Sequence, residues 1–91
     1  MKTVILSVPL NIGFLGRTTV SAVDVRAPKV KDLVGLNFSP EHINDSNVIL
    51  CSRLTGLVMK DLLEMNLRDY YKICEVVAEY LGNATKKGGG Q

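Results

Sequence analysis

The chain has no tryptophan and only two phenylalanines and three tyrosines in 91 residues. Its core must be filled by Leu, Ile and Val, which suits helical packing or a partner that completes the core. A single histidine, His42, lies in a polar stretch and leaves acid–base and nucleophilic schemes without a converging partner. Two cysteines, Cys51 and Cys74, stand 23 residues apart without a CxxC, too few for a disulfide framework or a zinc site. Both fall in apolar periodic segments and are expected to be reduced and buried. The glycines form neither GxGxxG nor GxxxxGK, so no phosphate cradle is signalled. Asp61 and Glu64, at i,i+3, read as a solvated face. No apolar run approaches the roughly 18 residues that span a bilayer. The opening run Met1–Leu6 stops at Ser7 and Pro9, with no small-x-small cleavage site after it. The expectation is a soluble intracellular protein that is not an enzyme and takes no cofactor, metal or membrane.

What is present is the balance of one small folded domain, with 46% apolar and 22% charged residues. A chain of this size buries perhaps two-thirds of its unfolded surface, so its stability is marginal unless it self-associates. The net charge of +2 hides an asymmetry. Residues 1–36 carry five basic and two acidic groups, whereas residues 37–83 carry four basic and seven acidic. Such a split either steers copies head to tail or amounts to two solvated faces. The acidic second half argues against nucleic acid as the main partner.

Thr3–Leu10 and Arg17–Val25 are β-branched runs on either side of Asn11–Gly16, whose glycines permit a turn, and together they read as a β-hairpin. In the second run Thr19, Ser21, Val23 and Val25 share one face by simple alternation. Pro28 suits the first position of a short helix over 29–36, with Val30, Leu33 and Val34 on one side. After a loop from Asn37 to Asn44, Asp45 or Ser46 is the expected cap of a helix carrying Ile49, Leu50, Leu54 and Leu57, with Gly56 at its end. Val58–Met65 reads as a short helical piece. Asn66 is the expected cap of the last helix, with Asp69 at its positive end and Met65 and Tyr70 at the staple positions. Its stripe of Tyr70, Tyr71, Cys74, Val77, Ala78 and Leu81, widened by Ile73, Val76 and Tyr80, exceeds what one neighbouring helix covers. Gly82–Asn83 is the expected stop. The expected architecture is α+β: an N-terminal β-hairpin followed by three to four α-helices in a single domain over 1–83, then a flexible tail over 84–91.

Laid in order, these segments are Arg26, Pro28, Asp32 and Leu33 after the hairpin, Leu54-Thr55-Gly56-Leu57 closing a helix, and Asp69-Tyr70 opening the last one. Their order and spacing resemble the small tail assembly chaperones of long-tailed phages and prophages, especially those with contractile tails of the Mu type. The resemblance covers roughly residues 3–82. It implies a non-enzymatic factor that coats the long, helical tape measure protein in the bacterial cytoplasm while the tail tube forms, and that is absent from the finished virion. It further implies that a longer product can arise by ribosomal frameshifting, with which the Thr85-Lys86-Lys87 codons are compatible.

A small domain with excess aliphatic surface can hold an amphipathic helix in a groove, and several weak copies on one client gain avidity. Leu54, Leu57, Leu63, Tyr71 and Val77 are the candidate lining. A homo-oligomer is expected. Two other functions fit the composition: a structural subunit retained in a tail or other assembly, and a small DNA-binding regulator using Lys29 and Lys31. The second lacks a recognition helix with clustered Arg, Asn or Gln.

Overall fold

The computed structural model describes residues 1–13 and 16–89, with side chains as far as residue 82. Strands β1 (Lys2–Ile12) and β2 (Thr18–Val25) form an antiparallel hairpin. A 3-10 turn (Val30–Leu33) and helices α1 (Ile43–Thr55), α2 (Met59–Leu63) and α3 (Leu67–Gly89) follow. This is the expected α+β arrangement of a hairpin and three helices. The hairpin contributes Val4, Leu6, Leu10, Val23 and Val25 to one buried cluster. The helical side contributes Leu50, Cys51, Leu54, Leu62, Met65, Ile73 and Val77. Val25 and Ile73 are wholly removed from water.

The hairpin is not regular. Lys2–Ile5 pair with Val25–Ala22, and Leu10–Ile12 pair with Val20–Thr18, so Leu6–Pro9 stand opposite Ser21 alone. This bulge takes Ser7 and Val8 off the ladder and places Pro9 where no N–H is required. The freed donors go to α3. The Asp69 carboxylate accepts the Ser7 N–H at 2.9 Å, the Ser7 hydroxyl at 2.8 Å and the Val8 N–H at 3.1 Å, and it is fully buried. An odd register shift also reverses which side chains of β2 face inward. Val23 and Val25 are buried before it, and Val20 packs on the core after it. The expected face of Thr19, Ser21, Val23 and Val25 is therefore broken at Ser21.

A second polar knot joins the hairpin's exit to the end of α1. Arg26 holds Asp32 with two hydrogen bonds, 2.8 and 2.6 Å, and Asp32 also accepts the Lys29 N–H at 2.7 Å. The Arg26 N–H donates to the Leu54 carbonyl, and its guanidinium to that of Arg53. Arg53 in turn donates to the carbonyls of Asp32 and Val34, both at 2.8 Å. Bidentate, charge-assisted geometry of this kind fixes orientation as well as energy. Gly56 ends α1 with φ of 79°, its N–H on the Ser52 carbonyl, while the Thr55 hydroxyl bridges the Cys51 carbonyl and the Leu57 N–H.

Three local expectations are corrected. The helix over 29–36 is only the 3-10 turn, because Asp32 draws the chain back onto Arg26 and Lys29. Val30 and Val34 are left exposed. Helix α1 starts at Ile43, earlier than Asp45 or Ser46, because the Ser46 hydroxyl is spent on the Asn37 N–H and carbonyl. Helix α3 passes Gly82 and Asn83 and runs to Gly89, since Gly82 does not adopt the positive φ of a helix stop. Of the expected tail, Gly90 and Gln91 lie outside the described residues, as do Phe14 and Leu15 of the hairpin turn. Asn66 caps α3 as expected, its side-chain oxygen accepting the Arg68 N–H at 3.0 Å.

Two stability predictions follow from these fasteners. Backbone and hydroxyl donors of Ser7 hold the Asp69 carboxyl below the usual carboxylate range. A carboxyl lowered on folding stabilises fully above its unfolded value near 4, and that stabilisation is lost as pH falls through the lowered folded value. Asp69→Asn should therefore lower the melting temperature at neutral pH and flatten the acid arm of the melting curve. Equal acid arms in the two proteins, followed by circular dichroism, would count against the clamp. Gly56→Ala should cost about 1–2 kcal/mol from left-handed backbone strain alone, because an added Cβ meets nothing within 4 Å. Urea unfolding measures it.

Candidate functional site

The five residues expected to line a binding surface separate in the fold. Leu54 and Val77 are buried, at 2% and 6% exposure, and serve the core. Leu57, just past the end of α1, is half-buried against that core. Leu63 and Tyr71 are exposed, at 65% and 57%. Leu67 joins them at 60%. It stands one helical turn before Tyr71 and was not among the expected lining residues.

Two hollows lie along α3. The first, about 180 Å³, is lined by Val48 of α1, Leu62 and Leu63 of α2, Met65, and Leu67 and Tyr70 of α3. The second, about 240 Å³, is lined by Asn47 and Cys51 of α1 and by Cys74, Val77, Ala78 and Leu81 of α3. Tyr70 and Cys74 are one turn apart, as are Leu67 and Tyr70, so the hollows succeed one another along one side of α3. From Leu67 to Leu81 this seam spans about 21 Å at 1.5 Å per residue. The wide apolar stripe of α3 thus serves both the core, through Ile73 and Val77, and the seam, through Leu67, Tyr70, Cys74, Ala78 and Leu81, with Val77 at the boundary. The Tyr70 and Tyr71 rings are 6.0 Å apart and tilted by 43°, so the exposed Tyr71 ring stands beside a residue of the first hollow.

The fold fixes this seam from three directions. The Asn66 cap and Asp69 clamp set where α3 begins, with Met65 and Tyr70 meeting in the first hollow as the staple pattern anticipates. Gly56 turns the chain out of α1 so that α2 can close one wall. At the other end Tyr80 donates its hydroxyl to the Val25 carbonyl at 3.1 Å, and Lys2 pairs with Glu79.

The chemistry in the seam is that of two thiols. Cys51 and Cys74 both line the second hollow. The neighbouring Cys74 thiol, then burial, pushes the Cys51 thiol far above its usual range. The neighbouring Cys51 thiol lowers Cys74 to about 7. Burial first, and the Cys74 thiol second, raise the Tyr70 phenol. His42 stands exposed at the start of α1. Asp32 is held well below the carboxylate range by Arg26 and is engaged in the knot. Among the described residues no group of three His, Cys, Asp or Glu side chains gathers as metal ligands. No helix among them is long and apolar enough to cross a membrane.

A family model described as phage tail assembly chaperone proteins, E, or 41 or 14, matches residues 3–82. That span holds both hollows, the Arg26–Asp32 knot and the Asp69 clamp. No curated protein and no solved structure matches the chain.

The thiol pair gives a direct chemical test. Cys74, half-exposed, should react with iodoacetamide in the folded protein at a rate that rises with pH through about 7 and then levels. Cys51 should stay unmodified until the protein is unfolded. Mass mapping of the alkylated peptides reads both sites. Equal labelling of the two cysteines in folded protein would contradict the arrangement.

Proposed function

The chain belongs to the family of phage tail assembly chaperone proteins, and from that premise we propose that it acts without catalysis, binding the tape measure protein while the tail is built. Membership implies an assembly role in the host cell and interaction with tail components. The finer reading places the protein in the bacterial cytoplasm, working as a homo-oligomer, and leaves it out of the mature virion. One observation supports the client site above the rest: Leu63 and Leu67 line a hollow yet stand in water, with the exposed Tyr71 ring beside its Tyr70. Large apolar side chains held together in water mark interaction surfaces. An amphipathic helix offers anchors at i, i+3, i+4 and i+7, the spacing that successive hollows along a helix accept. The hollows are shallow, so each copy binds weakly, and many copies on one long client gain avidity without tight single sites.

Charge leaves room for an adaptable fit. Leu63 and Leu67 are flanked by Asp61, Glu64, Lys60 and Arg68, a mixed rim that repels neither sign of client strongly. Such a rim suits a client read mainly by its apolar face.

Co-expression with the tape measure protein encoded nearby tests the proposal. The client should become soluble with this chain and elute with several copies of it at moderate salt. Leu63→Asp combined with Tyr71→Asp alters exposed positions only, and should reduce client recovery by more than about tenfold while the circular dichroism spectrum stays that of the unsubstituted protein. Undiminished recovery by the folded double variant would remove the seam as the client site. Detection of the chain in purified particles would favour a structural subunit.

A further inference from the structure

The two edges of the hairpin are finished differently. Along β1, Asp69 takes the Ser7 and Val8 N–H groups, Pro9 has none to offer, and Lys2 is paired with Glu79. Just past it the Gly13 N–H faces the Asp61 carboxylate at 3.5 Å. Strand β2 has no such cover. It is eight residues long, without proline or lysine, and its one charge is Asp24. Thr18, Thr19, Ser21, Ala22 and Asp24 are exposed. Among the described residues, no backbone group of Thr18–Asp24 is bonded to anything beyond the hairpin; only at Val25 does the Tyr80 hydroxyl arrive. Proteins ordinarily blunt an edge of this length with lysine, proline, a bulge or a covering loop.

We propose that β2 is an interface between copies of this chain, in which two β2 strands pair antiparallel about a two-fold axis near Val20–Ser21 and extend the two hairpins into one four-stranded sheet. Charge chooses the occupant and the direction. Antiparallel pairing brings the Asp24 end of each strand beside the Arg17 end of the other, so the exposed acid and base meet twice. Parallel pairing would set like charges side by side, which is destabilising across a sheet. A helical client cannot take this place, because its backbone groups are already paired within the helix. A two-stranded sheet is marginal by itself, and four strands with one packed face are not. The contact is isologous, with each copy presenting the same surface. This gives a surface to the self-association included in the proposed function and rests on it, but it leaves the seam along α3 free for the client.

The full chain alone, without client, tests the interface. Sedimentation velocity over a range of concentrations should show a monomer–dimer equilibrium. Amide hydrogen exchange on the unsubstituted chain should show protection gained on concentration in residues 18–24 of β2. Asp24→Arg and Arg17→Asp should each weaken dimerisation by about tenfold, and the doubly exchanged chain should recover it. A chain that stays monomeric throughout overturns the proposal. So does association with protection gained elsewhere, or β2 protection that appears only when tape measure protein is added. Because client is absent from the main experiment, its failure leaves the co-expression result standing, and loss of client binding leaves this one standing.

Discussion

The Asp69 carboxylate accepts three donors from β1 while shielded from water, and the shape of the domain depends on it. A buried carboxylate without partners would be costly, and the bulge leaves two N–H groups without partners on the ladder. Each satisfies the other. The bond joins residues 62 apart in the chain, so it ties the first strand to the start of the last helix. Once it forms, the position of β1 along α3 is settled. Val4, Leu6 and Leu10 then meet Ile73 and Val77 in one cluster. The bulge that frees these N–H groups also bends the sheet, allowing an eleven-residue strand to follow the helical layer.

The segments that carry the family resemblance prove to be fasteners in this structure. Arg26 and Asp32 form the bidentate pair, and Leu54 supplies the carbonyl that receives the Arg26 N–H. Thr55 and Gly56 close α1, and Asp69 clamps β1. With Arg53 spent on two carbonyls, the region from Val25 to Leu57 is held largely by directional bonds. A core without tryptophan needs such bonds, because its aliphatic side chains set volume but only weakly set orientation. The fasteners also separate shape from surface. Residues that define the fold point inward to one another, and those around the seam are left free to be apolar.

Much of this was legible in the residues, for definable reasons. The hairpin, the Gly56 stop, the Asn66 cap and the meeting of Met65 with Tyr70 are local signals, each contained within a few positions. The Asp69 clamp was read only as a charge suited to a helix start, because its partner lies across the fold and Ser7 shows no pattern of its own. The bulge was hidden for the same reason: alternation in β2 looks continuous until β1 imposes an odd shift. Among the candidate lining residues, periodicity placed Leu54 and Val77 on apolar faces but could not say which neighbour covers them. The Arg26 backbone docks at Leu54, and Val77 is buried in the same cluster as the hairpin's Val4, Leu6 and Val25. Leu63 and Tyr71 remained outside because α2 is only five residues long and ends before it can shield them. Leu67 was passed over because it precedes the stripe by one turn.

Under the proposed function a chaperone must avoid becoming its client's permanent partner, and the distribution of apolar surface suits that requirement. The core keeps Ile73 of α3 for the domain itself and shares Val77 with the seam. What faces the seam is interrupted by a thiol, a small Ala78 and the polar Asn47, so the contact area offered in any one place is small. Affinity then scales with the number of copies that reach one client. A deep single groove would bind better and release worse. The polar fasteners permit the shallow solution, since the fold does not need the seam to be filled in order to stand.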